Sequence, residues 1–479
     1  MKIKLLIAVF FLTKIVVAQS YKEVKGGLLP ERACFDVGYY DLHLTINPDE
    51  KTIKGHNVIT FKVVKATKKI QIDLFKNLDI DSVVFENKKL SYERKFDAFF
   101  IDFPFELELN KNYSVAVYYG GKPRTNIGVR STDGFHWKTH NKLPLVGVAC
   151  QIVGASVWYP CKEYLGDEPD SVRLHWTVPV QLQCISNGKL EKVESSPIAG
   201  YKTSHWVVRN PINSYNVTIY LGDYQKVSGV YINASGRHSM EYYFLKKNDK
   251  STKEAEKEKF YVQMGLTFVA FCEKMFGEYA FWNDKLAVVE TVYDGMEHQS
   301  CVAVGSLREN PMGYAYAEDV NLHGTLIHEL AHEWWGNAVS SSDMGDMWLH
   351  EGFATYTEYL FIEQMYGKKT YEAEISKMYE NALSGLGGNV YKAQTDKILA
   401  PRNVYSNQVF GMQGQIYWAG AHFLHALRKE INNDTVFFDI LRTFYERYKK
   451  KTVLTENFLQ IVNEKTNKDW TQYFKNGLE

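Results

Sequence analysis

Residues Leu326 to Trp335, LIHELAHEWW, carry the pattern from which the fold class follows. The apolar residues of this stretch recur at helical spacing, and His328 and His332 are four residues apart, so both imidazoles fall on one face of a predicted helix. Two histidines in this H-E-x-x-H pattern can hold one Zn²⁺, and Glu329 between them can act as general base towards the attacking water. The alternative is that the two histidines are hydrogen-bonded in the interior of a helix and bind no metal.

A catalytic zinc site needs a third protein ligand and one open position. The best candidate is Glu351, which stands in the segment 348–354, WLHEGFA, at the start of another helical run. A third histidine in the pattern H-x-x-G-x-x-H is excluded, because Trp335 stands at the glycine position and Ala338 at the histidine position. The sequence therefore predicts a zincin with two histidine ligands and one glutamate ligand.

Length and charge narrow the class of protein. A chain of 479 residues is long enough for at least two domains. The 56 lysines and arginines balance the 56 aspartates and glutamates. The chain therefore lacks the net positive charge that would predict a nucleic-acid partner or binding to a membrane surface. The expected partner is a small molecule or a peptide.

The N-terminus is typical of a cleavable signal peptide over residues 1–18. A basic start is followed by an apolar run from Leu5 to Leu12, which is too short for a membrane span and is followed by Lys14. We therefore expect an exported protein, periplasmic or extracellular, that begins near Gln19 and has no stable membrane span. The six cysteines form no C-x-x-C pair, and buried free thiols are expected.

The rest of the chain divides into two predicted domains. Short runs of alternating apolar and polar residues, broken by turn residues, predict an antiparallel β-sandwich over residues 19–224. Helical spacing predicts a mainly helical domain over residues 225–479, with helices after a capping box at Ser251, over 346–366 and over 416–429. The predicted fold class is thus multidomain α+β.

The segments 328–337 and 348–359 resemble the zinc aminopeptidase family that includes aminopeptidase N and the leukotriene-epoxide hydrolase. This resemblance implies one Zn²⁺ per chain, an N-terminal saddle-shaped β-domain and a thermolysin-like catalytic domain. The chain ends at Glu479, so the resemblance covers the catalytic portion without the helical C-terminal domain of many members. The sequence leaves open whether that is natural or whether the chain is truncated.

The family's G-x-M-E-N motif, which binds the substrate's free α-amino group from an edge strand, is similar to residues 294–298, DGMEH. The resemblance implies that Gly295, Met296 and Glu297 bind the N-terminus of a peptide. Asp294 and His298 depart from the motif, which affects the shape of the site and its side-chain preference.

Two further segments resemble parts of the family's site. The sequence ACQ at 149–151, followed by WYPC at 158–161, implies that Gln151 contacts the substrate. The sequence YWAGA at 417–421 implies that Tyr417 donates a hydrogen bond to the oxyanion, although packing in the core is the alternative for one of 32 tyrosines.

Two residues near the predicted ligands have open roles. Glu358 lies two helical turns after Glu351 on the same face, so it could hydrogen-bond a ligating histidine or stand exposed at the surface. His350 replaces an asparagine of many family members, and an extra coordinating role is a second alternative to simple variation.

The sequence thus predicts a zinc-dependent aminopeptidase with Glu329 as general base and Tyr417 as oxyanion donor. One alternative is a hydrolase that cuts internal bonds or an epoxide, and another is a catalytically silent binding protein. The side-chain preference, the natural substrate and the oligomeric state stay open.

Overall fold

The structure is a computed structural model that describes residues 20–127, 133–247, 252–305, 307, 316, 320–384 and 415–478. The predicted signal peptide and Ser251 of the predicted capping box lie outside these ranges. Within them, no helix is both long enough and apolar enough to cross a membrane.

Strands make up most of the first half of the chain. Two short helices precede them, α1 (Tyr21–Gly26) and α2 (Pro30–Ala33). The strands are β1 (Phe35–Asn47), β2 (Thr52–Val63), β3 (Thr67–Asp73), β4 (Leu78–Phe85), β5 (Lys88–Leu90), β6 (Tyr92–Lys95), β7 (Ala98–Leu107), β8 (Asn112–Gly121), β9 (Gly134–His140), β10 (Leu143–Ala149), β11 (Ser171–Pro179), β12 (Gln183–Ser186), β13 (Lys189–Ser195), β14 (Tyr201–Val208) and β15 (Ile219–Gly222).

These strands form three sheets around one apolar core. The largest has eight strands in the order β13-β14-β11-β1-β2-β8-β4-β5, and the others are β12-β15-β10-β9 and β3-β7-β6. Along β1, Leu42, Leu44 and Ile46 point into the core while the residues between them are half-buried on the outer face. The predicted β-rich half is confirmed, with one difference. The pair β1–β11 is parallel, which the long connection between the two strands permits.

The second half combines helices with a smaller sheet. Its strands are β16 (Tyr224–Asn233), β17 (Gly236–Leu245), β18 (Leu286–Thr291), β19 (Gly295–Met296), β20 (Val302–Gly305), β21 (Val339–Ser341) and β22 (Lys451–Val453). Its helices are α3 (Thr252–Met275), α4 (Gly324–Ala331), α5 (Trp348–Tyr366), α6 (Lys368–Ser384), α7 (Gly420–Ile431), α8 (Asp434–Tyr448), α9 (Thr455–Thr466) and α10 (Thr471–Leu478).

A five-stranded sheet in the order β16-β17-β18-β20-β19 lies in this half, and β19 is its edge strand. The predicted helices are present. The helix predicted over 346–366 begins at Trp348 and stops before Gly367, whose φ of 86° a side chain would resist. The helix predicted over 416–429 opens instead with a π-helical turn, Gln415–Ala419, before α7.

The two halves share their cores at the junction. Most residues of the first core lie between Cys34 and Tyr224, but Val289 and Met296 of the second half belong to it too. Ile152 of the first half conversely packs in the second core. The domain boundary at 224 stays a prediction. All six cysteines lie in the described part of the chain as buried free thiols.

Two glycines let α5 and α7 approach each other closely. A Cβ added at Gly352 would lie 2.9 Å from the Cα of Gly420 and 3.1 Å from the carbonyl oxygen of Ile416. Gly352 directly follows Glu351, and Gly420 comes three residues after Tyr417. The contact therefore fixes the position of Tyr417 relative to Glu351.

We expect Gly352→Ala to destabilise the protein by about 1–3 kcal/mol, because the added methyl group must push α7 away from α5. Urea unfolding measures this change. Gly38→Ala is the matched control, since its added Cβ would meet only Asp170 Oδ2, at 3.6 Å. Equal unfolding midpoints for the two variants would contradict the close helix contact.

Candidate metal centre

The centre is built on α4 and the turn that follows it. His323 precedes the helix, and its Nδ1 accepts a hydrogen bond from the backbone N–H of Leu326 at 3.1 Å. His328 and Glu329 lie on the helix and His332 caps its C-terminus. Leu326 and the other apolar residues of α4 are fully buried, so the helix is held in the second core.

Three donor atoms from α4 and α5 converge on one point. His328 Nε2 and His332 Nε2 are 3.1 Å apart, and they lie 3.3 Å and 3.2 Å from Glu351 Oε2. Ligand atoms at about 2.0–2.1 Å from a tetrahedral Zn²⁺ are about 3.3 Å from one another. The three side chains therefore have the spacing of a zinc ligand set.

The Nδ1 atoms of both histidines, which face away from the donor cluster, each contact a hydrogen-bond acceptor. His328 Nδ1 lies 2.6 Å from Glu358 Oε1, and His332 Nδ1 lies 2.9 Å from the carbonyl oxygen of Trp335. Both Nδ1 atoms therefore donate, and a neutral imidazole then has its lone pair on Nε2. Two lone pairs and a carboxylate oxygen thus face one another, an arrangement that a cation between them stabilises.

The local electrostatics agree with a positive charge at this point. Burial alone would lower the pKa of His332, but the adjacent Glu351 reverses the effect and raises that pKa to about 9. The predicted ligands His328, His332 and Glu351 are all buried and together form a group that could hold a metal ion.

Glu358 is buried behind this centre and not exposed at the surface. It holds His328 through Oε1, and its Oε2 lies 2.5 Å from the hydroxyl oxygen of Tyr316, which donates to it. A carboxylate in this position fixes the tautomer and the orientation of a metal-binding imidazole.

Glu329 lies against the edge strand β19. A Cβ added at Gly295 would come within 2.2 Å of Glu329 Oε1, so only glycine leaves room for this carboxylate. Burial raises the pKa of Glu329 to about 8, against the opposing effect of the two histidines. Met296, the next residue of β19, is buried in the first core.

Gln151 links the two halves of the site. Its Nε2 donates to Glu297 Oε1 at 2.6 Å and to Glu351 Oε1 at 2.7 Å. Glu297 Oε1 also accepts the hydroxyl of Tyr215 at 2.8 Å. The structure thus brings Gln151 and Glu297 together beside the predicted metal ligand.

Sequence reasoning did not single out two residues that hold Glu297. One is Tyr215, and the other is Asn337, whose Nδ2 donates to the carbonyl oxygen of Glu297 at 2.8 Å. Asn337 ends the segment 328–337, whose resemblance to the zinc aminopeptidase family was a signal for it. Tyr215 stands in no recognisable motif, so no sequence signal could have found it.

His298 and His350, the two histidines that differ from the family pattern, are both buried and lie outside the ligand set. His350 Nε2 accepts the backbone N–H of Ser341 at 2.7 Å, and its Nδ1 lies 3.3 Å from the hydroxyl oxygen of Tyr215. Both its ring nitrogens have partners, which argues against the coordinating role left open by the sequence. His298 Nδ1 lies 2.5 Å from the hydroxyl oxygen of Tyr220, and burial lowers the pKa of His298 to about 3.

Tyr417 lies next to the predicted ligands, on the π-helical turn before α7. Its ring stacks on that of His328, with centroids 5.7 Å apart and an angle of 18° between the planes. Tyr417 also packs against the second core, so its catalytic role stays a prediction.

Comparisons with known proteins match both halves of the chain. The family model "Peptidase M1 N-terminal domain" matches residues 37–216, and "Peptidase family M1 domain" matches residues 262–476. Aminopeptidase B of Mus musculus is 24% identical over 206 residues, which are 41% of this chain and 30% of that protein. Leucine aminopeptidase 2 of Candida albicans is 22% identical over 90% of this chain and 66% of its own length. The chain thus spans less than a third of aminopeptidase B.

Solved structures show the same fold. An M1 zinc metallopeptidase from Deinococcus radiodurans superposes with a TM-score of 0.74 at 20% identity, covering 93% of both chains. A mutant of that protein, solved with a Tyr-Ser-Ala substrate, gives the same TM-score over 93% of this chain and 94% of its own.

We expect Glu358→Gln to weaken metal binding by about 10–100-fold, because the amide does not hold His328 with the charge of the carboxylate. Competition with a zinc chelator of known affinity measures the change. Glu372→Gln, at an exposed position on α6, is the matched control. Unchanged metal affinity in Glu358→Gln would show that this hydrogen bond does not support the centre.

Proposed function

The chain belongs to the M1 family of peptidases, and we propose that it is a zinc-dependent aminopeptidase that releases amino acids from the N-termini of peptides. The observation that carries the proposal is a buried carboxylate, Glu297, held by Gln151 next to the candidate metal centre. It supplies a binding point for a free α-ammonium group.

His328, His332 and Glu351 would hold the zinc ion. When bound, the metal supplies Lewis-acid polarisation of the scissile carbonyl and lowers the pKa of a water molecule towards about 7. The three converging donor atoms and the fixed Nδ1–H tautomers of both histidines support this assignment.

Glu329 would move the proton. In the proposed mechanism its carboxylate takes a proton from the attacking water and delivers it to the leaving amine. Gly295 leaves room for this carboxylate beside β19, which supports the role of the glycine in the D-G-M-E-H segment.

Glu297 would bind the free α-ammonium group at the N-terminus of the substrate. Burial raises the pKa of Glu297, with His332 opposing and Glu351 adding to the effect, so an ionised Glu297 is costly without a cationic partner. An α-ammonium group provides that partner and forms charge-assisted hydrogen bonds. Gln151 and Tyr215 already occupy Oε1, which orients the carboxylate.

Tyr417 would stabilise the tetrahedral transition state by donating its hydroxyl proton in a hydrogen bond to the developing oxyanion. Its stacking on His328 supports this role because it brings the phenol next to the ligand set. The contact between Gly352 and Gly420 holds the turn that carries it.

We expect the zinc-loaded protein to cleave aminoacyl anilides with a free amino group and to leave the N-acetylated compounds intact. Release of the aniline measures the rate for each side chain and so defines the preference. Glu329→Gln is expected to abolish cleavage while zinc stays bound. Glu297→Gln is expected to raise KM or lower kcat for the free-amine substrates, because the ammonium loses its anionic partner.

Two results would overturn the proposal. Equal cleavage of acetylated substrates would remove the assigned role of Glu297 and favour a peptidase that cuts internal bonds. Absence of cleavage with stoichiometric zinc bound would favour a binding protein without catalytic activity.

We expect Tyr417→Phe to lower kcat by about 10²–10³-fold, which corresponds to about 2.7–4 kcal/mol, with the zinc content unchanged. The retained ring keeps its stacking on His328, so the loss reports the hydroxyl alone. Tyr473→Phe, at a half-buried tyrosine on α10, is the matched control. A kcat within a few-fold of the wild-type value would refute the oxyanion role.

A further inference from the structure

The loop 297–301 follows the edge strand β19 and begins with Glu297, the proposed binding point for the N-terminus of the substrate. β19 pairs with β20 over two residues. Beyond Glu297 the chain turns, and the backbone N–H of Cys301 donates to the carbonyl oxygen of His298 at 2.9 Å. A pairing this short leaves the position of the loop to be fixed by contacts outside the sheet.

Glu333, the residue after the predicted ligand His332, holds this loop from the side of the metal centre. It is fully buried, and its Oε1 accepts the backbone N–H of Ser300 at 2.7 Å. Its Oε2 accepts the hydroxyl of Tyr279 at 2.8 Å. Ser300 has a φ of 60°, a conformation that costs free energy in a residue with a side chain and persists where surrounding contacts determine it.

Asn337 ties the same loop to a predicted metal ligand. Its backbone N–H donates to the carbonyl oxygen of His332 at 3.0 Å, and its Nδ2 donates to the carbonyl oxygen of Glu297 at 2.8 Å. Its Oδ1 accepts from Asn216 Nδ2 at 2.5 Å, which fixes the orientation of the amide. One residue therefore joins the backbone of His332 to that of Glu297.

The distance between Glu297 and the metal centre decides which bond of a peptide reaches the centre. A carboxylate oxygen of Glu297 and a ring nitrogen of His332 lie within 4.8 Å of each other. In a peptide, the α-nitrogen and the carbonyl carbon of the first residue are about 2.5 Å apart, and each further residue adds about 3.3–3.6 Å. The observed spacing therefore suits the first peptide bond and not the second.

We propose that Glu333 and Asn337 are positioning residues that set the distance between Glu297 and the metal centre. The inference rests on the proposed function, because it requires Glu297 to bind the α-ammonium group. Gln151 orients the carboxylate of Glu297, whereas Glu333 and Asn337 hold the backbone that carries it. A displacement of about 1 Å can cost about 100-fold in rate, so the loss of either contact has a measurable effect.

The test compares two zinc-binding inhibitors that differ in one amino group. The first is the hydroxamate of the amino acid preferred in the anilide panel, and the second is the same hydroxamate with hydrogen in place of the amino group. Both bind the zinc of the loaded protein, but only the first can place an ammonium group on Glu297. We expect the wild type to bind the first about 10–100-fold more tightly, the range for a hydrogen bond to a charged group.

Glu333→Leu removes the acceptors of Ser300 and Tyr279. We expect it to bring the ratio of the two Ki values to within about threefold of one, because the ammonium group no longer meets Glu297. The zinc content and the Ki of the inhibitor without the amino group are expected to stay unchanged. Asn337→Ala removes a single donor to the loop and is expected to lower the ratio about three- to tenfold, so it decides the matter if Glu333→Leu does not fold.

Glu333→Gln is the conservative variant and is expected to keep the wild-type ratio. Its Oε1 can accept from Ser300 while its Nε2 donates to the hydroxyl oxygen of Tyr279. That hydroxyl can then donate to the carbonyl oxygen of Lys285, which lies 3.0 Å away. Ile461→Ala, at a fully buried position of the second core on α9, is the matched control for lost stability. It should lower the unfolding temperature and leave the ratio unchanged.

A wild-type ratio near one would refute the ammonium-binding role of Glu297, and both the proposed function and this inference would fall with it. A wild-type ratio of at least about tenfold that persists in Glu333→Leu and in Asn337→Ala would overturn this inference and leave the proposed function standing. Loss of zinc, or an equal rise in Ki for both inhibitors, would show that the two residues support the centre as a whole, which also overturns it.

Discussion

The structure around the candidate centre depends on one constraint, which is that two imidazole lone pairs and a carboxylate oxygen are held within 3.3 Å of one another. Such an arrangement is stable only with a positive charge at its middle. Each surrounding contact serves to hold the donors there. Glu358 and the carbonyl oxygen of Trp335 fix the tautomers, and α4 is anchored in the second core so that the donors cannot separate.

Glycines position the groups that surround this centre. Gly295 lets Glu329 lie against the edge strand, and Gly352 with Gly420 brings α7 onto α5 so that Tyr417 reaches His328. At each position a methyl group would displace a group with a proposed role by a few tenths of an ångström or more. Geometry of this accuracy is what proton transfer and oxyanion stabilisation require.

The sequence predicted those features that depend on short-range patterns. The alternation of apolar and polar residues identified the β-rich half. The spacing of His328, His332 and Glu351 identified the candidate ligands that the structure brings together. Features that depend on pairing between distant strands escaped it. The parallel pair β1–β11 decides that His43 faces His175, more than a hundred residues further along the chain, and no local pattern encodes that register. The contact of Tyr215 with Glu297, 82 residues apart in the chain, depends on tertiary packing that no local pattern encodes.

The amide of Gln151 makes the candidate site depend on both halves of the chain. It comes from the segment after β10 in the first half, yet it donates to Glu297 and to Glu351 of the second half at the same time. A chain whose second half has folded alone would lack this clamp on both carboxylates. The proposed site for the substrate's N-terminus is therefore complete only when both halves have folded against each other.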